Sequence, residues 1–206
     1  CVNQLGGIYL DIIKDRQYTT QKNSQIRRSA QTVMKLMVDQ LVILVSPILS
    51  FTAEEIWQND EQLSSEIASV FLAELSSIPD FSCNLDHGDW KRLLEIKDSV
   101  NQKIEESRNS GEIKGSLDTD IELTVSSADF ELLHNLSAEL HFFFIVSSCK
   151  LIQGNTLEVS IMQSPFEKCT RCWHRNDSVG KSSKHPELCS RCELNIDGAG
   201  EDRTFA

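Results

Sequence analysis

Four of the seven cysteines stand as two short pairs, Cys169-x2-Cys172 and Cys189-x2-Cys192, with sixteen residues between them. Two such knuckles bring four thiolates to one point, as a tetrahedral zinc ion requires. Four protein ligands leave no open coordination position, so the metal's role is structural rather than catalytic. A disulfide framework fits less well, because seven is an odd number and nothing signals secretion. Two redox CxxC pairs at this separation also fit a metal better. His174 or His185 could replace one sulfur, but an all-cysteine set needs neither. Gly180 and Pro186 in the intervening stretch are enough to turn the chain back. Cys169, Cys172, Cys189 and Cys192 are therefore the expected ligands of one structural Zn2+.

The residues around the knuckles are charged. Between Lys168 and Arg191 lie six basic side chains (Lys168, Arg171, Arg175, Lys181, Lys184, Arg191) against Asp177 and Glu187, net +4. Four thiolates and one Zn2+ subtract two, leaving about +2 for the finger. Trp173 follows the second cysteine, with Arg171 and His174 beside it. A planar aromatic next to a guanidinium suits stacking on unpaired bases. Equally, the indole could cover the metal and pack the finger onto its neighbour. Lys181-Ser182-Ser183-Lys184 superficially matches a nucleotide-loop signature, but it lies inside the zinc loop and is taken as coincidence. No GxxxxGK[ST], GxSxG or HExxH pattern occurs, so no constellation for nucleophilic or acid–base catalysis is present.

Several elements must position these side chains. Ile26, Ala30, Val33, Met37, Leu41 and Leu44 recur at helical spacing, which predicts a helix over 24–46 ended by Pro47. Arg28 and Lys35 share another face of it, expected to stay wet. Thr52 and Glu55 match a capping box, Phe51 and Ile56 a hydrophobic staple, and Glu54 lies beside the positive end of that helix. Trp57 is expected inside. Val70–Leu72 is compatible with strand or helix, and Ile78–Gly88 reads as a loop. A further helix is expected over 89–109, closed by Gly111 and Gly115. The period then changes to two: Leu117, Thr119, Ile121, Leu123 and Val125 alternate with polar residues, predicting a half-buried strand. Residues 128–139 read as helix, Phe142–Val146 as a strand, and Leu157, Val159 and Ile161 as another strand. The expected fold is mainly α, a helical bundle followed by a small α/β unit and a four-cysteine zinc-ribbon tail. The corresponding domains are 1–112, 113–163 and 164–206.

At 206 residues, 40% hydrophobic and 25% charged, the chain has the composition of a soluble globular protein, not a collagen-like or disordered one. The longest stretch without charge, Gln40–Ala53, is too short to span a bilayer and contains Pro47. The chain begins at Cys1 without a signal peptide and reads as a piece of something longer. The net charge of −11 is uneven. Residues 1–38 carry six basic and two acidic side chains, net +4, whereas 39–90 carry ten acidic and none basic. An acidic protein is a poor indiscriminate binder of phosphate backbones, so any nucleic-acid contact must be local and on the basic ends.

Tyr9-Leu-Asp-Ile-Ile-Lys-Asp-Arg16, Arg27-Arg-Ser-Ala-Gln-Thr-Val33 and Pro47-Ile-Leu-Ser-Phe-Thr-Ala-Glu-Glu-Ile-Trp57 resemble the anticodon-binding helical domain of bacterial-type isoleucyl-tRNA synthetases. Ser69-Val-Phe-Leu72 and Val100-Asn101 fit the same pattern. Glu167-Lys-Cys-Thr-Arg-Cys-Trp-His174 and Leu188-Cys-Ser-Arg-Cys192, through to Phe205-Ala206, are similar to that family's C-terminal zinc finger. The resemblance covers essentially the whole chain. It implies a part of an enzyme that joins isoleucine to tRNA(Ile) using ATP, a part that grips the anticodon stem-loop. The HIGH-type and KMSKS-type motifs are absent, so the catalytic and editing domains, with ATP and Mg2+, belong elsewhere in the parent protein. Carried over by position, Arg171 and Trp173 would meet anticodon-loop bases, with Arg28 and Lys35 as weaker phosphate contacts. The 52-residue stretch without a Lys or Arg should face away from tRNA. A monomer in the cytoplasm or an organelle matrix, away from membranes, is expected. Competing readings are a DNA glycosylase with a similar finger, and a non-enzymatic zinc module for protein assembly.

Overall fold

The alternation from Thr119 to Val125 dictates the centre of the fold. Strand β1, Thr119–Val125, buries Thr119, Ile121, Leu123 and Val125 on one face. It pairs in parallel with β2, Ser148–Gln153, and antiparallel with β3, Glu158–Gln163, in the order β2-β1-β3. The structure, a computed structural model, describes residues 2–77, 79, 85–136 and 138–205. One compact unit spans Arg28–Ser82, and the other Cys1–Arg27 with Cys83–Ala206. These units cut across the three consecutive segments expected from sequence.

In the larger unit a π-helical segment, Val2–Leu10, precedes the short helix α1, Lys14–Thr19. Helix α2, Gln25–Val45, confirms the predicted bounds and begins here. Helix α5, His87–Asn109, lays Leu93, Ile96, Val100 and Ile104 into the core with the inward residues of β1. Each such side chain contributes at most about 1.5–3 kcal/mol of burial. Asp86 and Asp89 form a true capping box at its start, so the helix begins two residues earlier than expected. Most of the expected loop Ile78–Gly88 lies outside the described residues. Trp90, expected on the inner stripe, is exposed.

A parallel β1–β2 pair needs a crossover, and it holds α6, Ser127–His134, and α7, Leu140–Phe144. Arg92 grips Asp129 at the start of α6 through two hydrogen bonds of 2.8 and 2.9 Å. Phe142–Val146, expected as a strand, is thus corrected: Leu140–Phe144 is helical, and Ile145 ends it in the left-handed region. A run of apolar residues carries no period of its own, and four of these five, all but Ile145, are buried. The polar–apolar alternation of the half-buried strand β2 was not recognised from sequence.

The smaller unit contains the rest of α2, then α3, Ser50–Asn59, α4, Glu61–Glu66, and a 3-10 turn, Val70–Leu72, around a core of Val42, Ala53, Trp57 and Val70. Trp57 is buried as expected, and its indole N–H donates to the Ile67 carbonyl at 2.8 Å. The capping box at Thr52 and Glu55 is overturned. The helix starts at Ser50, placing both residues inside it, and no side chain caps Leu49. Phe51 is 94% exposed and makes no staple. Glu54 instead accepts from the Ser69 hydroxyl and the Val70 N–H, at 2.9 and 3.0 Å, tying the 3-10 turn to α3. Leu44 and Ile48, expected on the buried stripe of α2, are also exposed.

Candidate zinc centre and nucleic-acid interface

Each cysteine pair is held by a backbone turn. In the first, the Trp173 N–H donates to the Cys169 carbonyl, and the Cys169 N–H to the His174 carbonyl, both at 2.9 Å. In the second, Cys189 stands at the N-cap of helix α8, Ser190–Asp197, and Cys192 in its first turn. The stretch between them turns back where the Gly180 N–H donates to the Pro186 carbonyl at 2.8 Å, with Gly180 at φ +87°.

The ligand atoms of Cys169, Cys172, Cys189 and Cys192 all lie within 4.8 Å of one another, and all four residues are buried. The Cys172 and Cys189 sulfurs are 3.7 Å apart. A tetrahedral site with Zn–S bonds of about 2.3 Å places its sulfurs roughly 3.8 Å apart, whereas a disulfide needs about 2.05 Å. The donor set therefore fits zinc. A backbone N–H, that of Cys189, also points at the Cys169 sulfur at 3.4 Å, the usual support for a thiolate ligand. His185 instead pairs with Asp197 at 2.7 Å, and His174 packs edge-on against Phe142.

The finger is fastened to its unit by an ionic cluster that sequence reasoning missed. The Asp15 carboxylate accepts from Arg191 at 2.7 and 2.9 Å and from Arg203 at 2.7 Å. Both guanidiniums lie over the Phe142 ring, at 4.9 and 3.7 Å. Burial works to raise the Asp15 pKa, but the two arginines outweigh it and hold the carboxyl well below its usual range. Glu139 accepts from the N–H groups of Thr204 and Phe205, each at 2.6 Å, pinning the tail.

The same cluster makes His141 pH-sensitive. Burial first, then the neighbouring His174, Arg191 and Arg203, push its pKa down to about 3. A histidine kept neutral in the fold but not in the unfolded chain lets the unfolded state take up the extra proton, so stability falls as pH drops below about 6.5. Between pH 7 and 5 this single group should cost about 2 kcal/mol. Urea midpoints of the zinc-loaded chain and a His141→Asn variant at both pH values test it: the variant should lose clearly less on acidification, and parallel losses would refute the assignment.

Of the six basic residues counted around the knuckles, four are held by carboxylates: Arg175 by Asp118, Lys181 by Asp177, Lys184 by Asp197 and Arg191 by Asp15. The remaining two flank Trp173. Arg171 donates to the Thr19 carbonyl at 2.5 Å, and the Lys168 ammonium lies 5.7 Å from the indole centroid. Trp173 itself is 60% exposed, so it does not cover the metal. Its backbone is left-handed, φ +68°, a conformation that costs a bulky residue roughly 1–3 kcal/mol. Strain of that kind persists where the surroundings hold it, and such sites cluster at ligand clamps.

Arg28 and Lys35 belong to the Arg28–Ser82 unit, and Arg171 and Trp173 to the other. Arg28 is exposed. Lys35, expected on a wet face, is bound by Asp39 at 2.6 Å and Asp60 at 3.0 Å. Asp39 is its i,i+4 neighbour on α2, visible in the spacing, whereas Asp60 follows α3 and only the fold brings it alongside.

Residues 1–123 match the family described as the anticodon-binding domain of tRNA ligase, and residues 166–195 the zinc finger found in FPG and IleRS. The whole chain is similar to the isoleucine–tRNA ligases of Saccharophagus degradans and Teredinibacter turnerae, at 41% identity, and of Ruthia magnifica, at 43%. It spans 23% of the length of each of these curated relatives. The match over 1–123 is to a tRNA ligase domain and not to a glycosylase body.

Proposed function

Since the chain belongs to the family of tRNA-ligase anticodon-binding domains, we propose that it is the anticodon-gripping part of an isoleucine–tRNA ligase, which attaches isoleucine to tRNA(Ile) using ATP. The observation that carries this reading is Trp173, exposed and held in a strained backbone on a rigid zinc knuckle, with Lys168 and Arg171 beside it. Zinc, when bound, supplies the cross-link that fixes both knuckles and performs no step of the reaction. The chain's own residues bind and orient: the indole stacks on a base of the anticodon loop, while Lys168 and Arg171 meet the adjoining phosphates. Arg28 is a candidate for a further phosphate contact; Lys35 would have to leave its two carboxylates to join it. The catalytic and editing domains of the same protein are the proposed partners, holding ATP and Mg2+. No helix among the described residues is long and apolar enough to cross a membrane. A monomer in the cytoplasm, or in an organelle matrix, accords with these features.

The test is binding of the zinc-loaded chain to an isoleucine-tRNA anticodon stem-loop at two salt concentrations, with and without a chelator. Zinc-dependent binding that weakens when the anticodon is changed supports the reading. Trp173→Ala, with zinc content unchanged, should weaken it by about 1–3 kcal/mol. Equal affinity for both would return Trp173 to packing, and no binding at either salt would favour an assembly module.

A further inference from the structure

Six large apolar side chains of the Arg28–Ser82 unit stand in solvent: Leu44, Ile48, Leu49, Phe51, Phe71 and Leu72. The first three lie at the end of α2 and in the turn after it, and Phe51 in the first turn of α3. That turn is tight, with the Leu49 N–H donating to the Val45 carbonyl and the Ala53 N–H to the Leu49 carbonyl, both at 2.8 Å. Phe71 and Leu72 lie on the 3-10 turn that Glu54 ties to α3, and Glu54 follows Phe51 by one helical turn. Phe51 is 94% exposed and Ile48 83%. Single exposed apolar residues are ordinary. Here the two phenylalanines alone present on the order of 200 Å², and the six together exceed the few hundred Å² at which a patch marks an interaction site.

We propose that this face receives an amphipathic helix whose apolar stripe is flanked by Lys and Arg, supplied by the portion of the parent protein outside this chain, and that seating it completes the unit's core. The proposal rests on the reading of the chain as one part of a longer ligase, and not on how the anticodon is held.

The unit's own packing asks for such a layer. Its core is Val42, Ala53, Trp57 and Val70, one of them an alanine. A domain is stable when two layers bury their apolar faces against each other, and a small unit has little surface to spare. Leu44 and Ile48 continue the helical stripe of Ala30 and Leu41, so their spacing marks a face suited to burial, yet no described residue buries them.

Charge selects the occupant. Residues 39–90 carry ten acidic side chains and no basic one, and Lys35 of this unit is already bound by Asp39 and Asp60. Glu55 stands one turn after Phe51 and Glu74 two residues after Leu72, both exposed. An apolar face with an acidic border is complementary to an apolar stripe with a basic one. A second copy of this chain would set acidic border against acidic border across a two-fold axis. RNA phosphates and anionic lipid headgroups would be repelled in the same way. The chain spans 23% of the length of each curated relative cited above, so most of each relative lies outside the matched region. A helix tethered in the same polypeptide binds at high effective concentration, so modest affinity suffices.

Hydroxyl-radical footprinting of the full-length parent protein, beside the zinc-loaded chain, tests this. In the full-length protein Phe51 and Ile48 should oxidise as slowly as the buried Trp57, and roughly fivefold or more slower than in the chain, as expected for side chains at the centre of an interface. Glu55→Lys combined with Glu74→Lys should raise Phe51 oxidation about twofold in the full-length protein and leave it unchanged in the chain. Phe51 oxidising much faster than Trp57 in the full-length protein would overturn the proposal. Protection that survives the double substitution unchanged would overturn the basic flank. Oxidation of the chain that falls as its concentration rises would give the face to a second copy, and protection that requires added tRNA(Ile) would give it to RNA; either result overturns the assignment. Isoleucine charging by the same preparation is read separately. Charging with Phe51 unprotected refutes the docking face and keeps the ligase reading, whereas protection without charging does the reverse.

Discussion

Cys172→Ser is expected to strip the bound zinc to well below one ion per chain and to unfold the finger while leaving the sheet and the helices in place. The four sulfurs form the only core of a segment whose other packed apolar residues are Leu188 and the partly buried Val179. So small a core cannot offset the conformational entropy of its loops, and closure depends on a metal whose binding is worth roughly 10–16 kcal/mol in comparable fingers. Metal analysis and amide exchange are the measurements. Amides of 166–195 should lose protection, while those of α5 and β1, held by the separate core of Leu93, Ile96, Ile121 and Leu123, should keep it. An undiminished ion per chain would show that Cys172 is not a ligand.

Asp15→Ala should be the second large loss, about 3–5 kcal/mol of stability. Its carboxylate faces two guanidiniums whose side chains are only 19% and 1% exposed. Glu201 also faces them, at 3.2 Å from Arg191 but 3.9 Å from Arg203, so it cannot compensate Arg203 closely. Removing Asp15 therefore leaves a buried charge largely unpaired, the costly half of breaking a buried pair. Zinc content should be unchanged, because no ligand is touched, but anticodon binding should weaken as the finger loses its hold on α1. Asp15→Ala combined with Arg203→Met should recover part of the loss, since the stranded charge goes with its partner. A urea midpoint within about 0.5 kcal/mol of the native chain would show that the cluster contributes nothing. Acid should act on the same carboxylate: because the fold holds its pKa low, its contribution is complete above about pH 4 and lost as pH falls further.

Signals of local origin were read correctly in the sequence. The two CxxC spacings named the four residues the fold brings together, because a knuckle is a short turn whose geometry is set within a few residues. Helices α2 and α5 and strand β1 followed from their periods. The capping box at Thr52 failed for the converse reason. Its pattern is satisfied by residue types alone, while the turn after Pro47 feeds the chain into helix three residues sooner. Phe142–Val146 failed because five apolar residues in a row show no period.

The sequence by itself determined that four thiolates meet at one zinc, that helices precede a small sheet, and which indole stands beside an arginine on the finger. Only the tertiary structure decided which charges remain available. Arg191 and Arg175 look alike in sequence to Lys168 and Arg171, yet the first pair is bound to Asp15 and Asp118 and the second pair flanks Trp173. Those carboxylates stand 176 and 57 residues away along the chain. Spacing records neighbours on one helix or turn; the distant partner that neutralises a charge is supplied by whatever segment the core brings alongside.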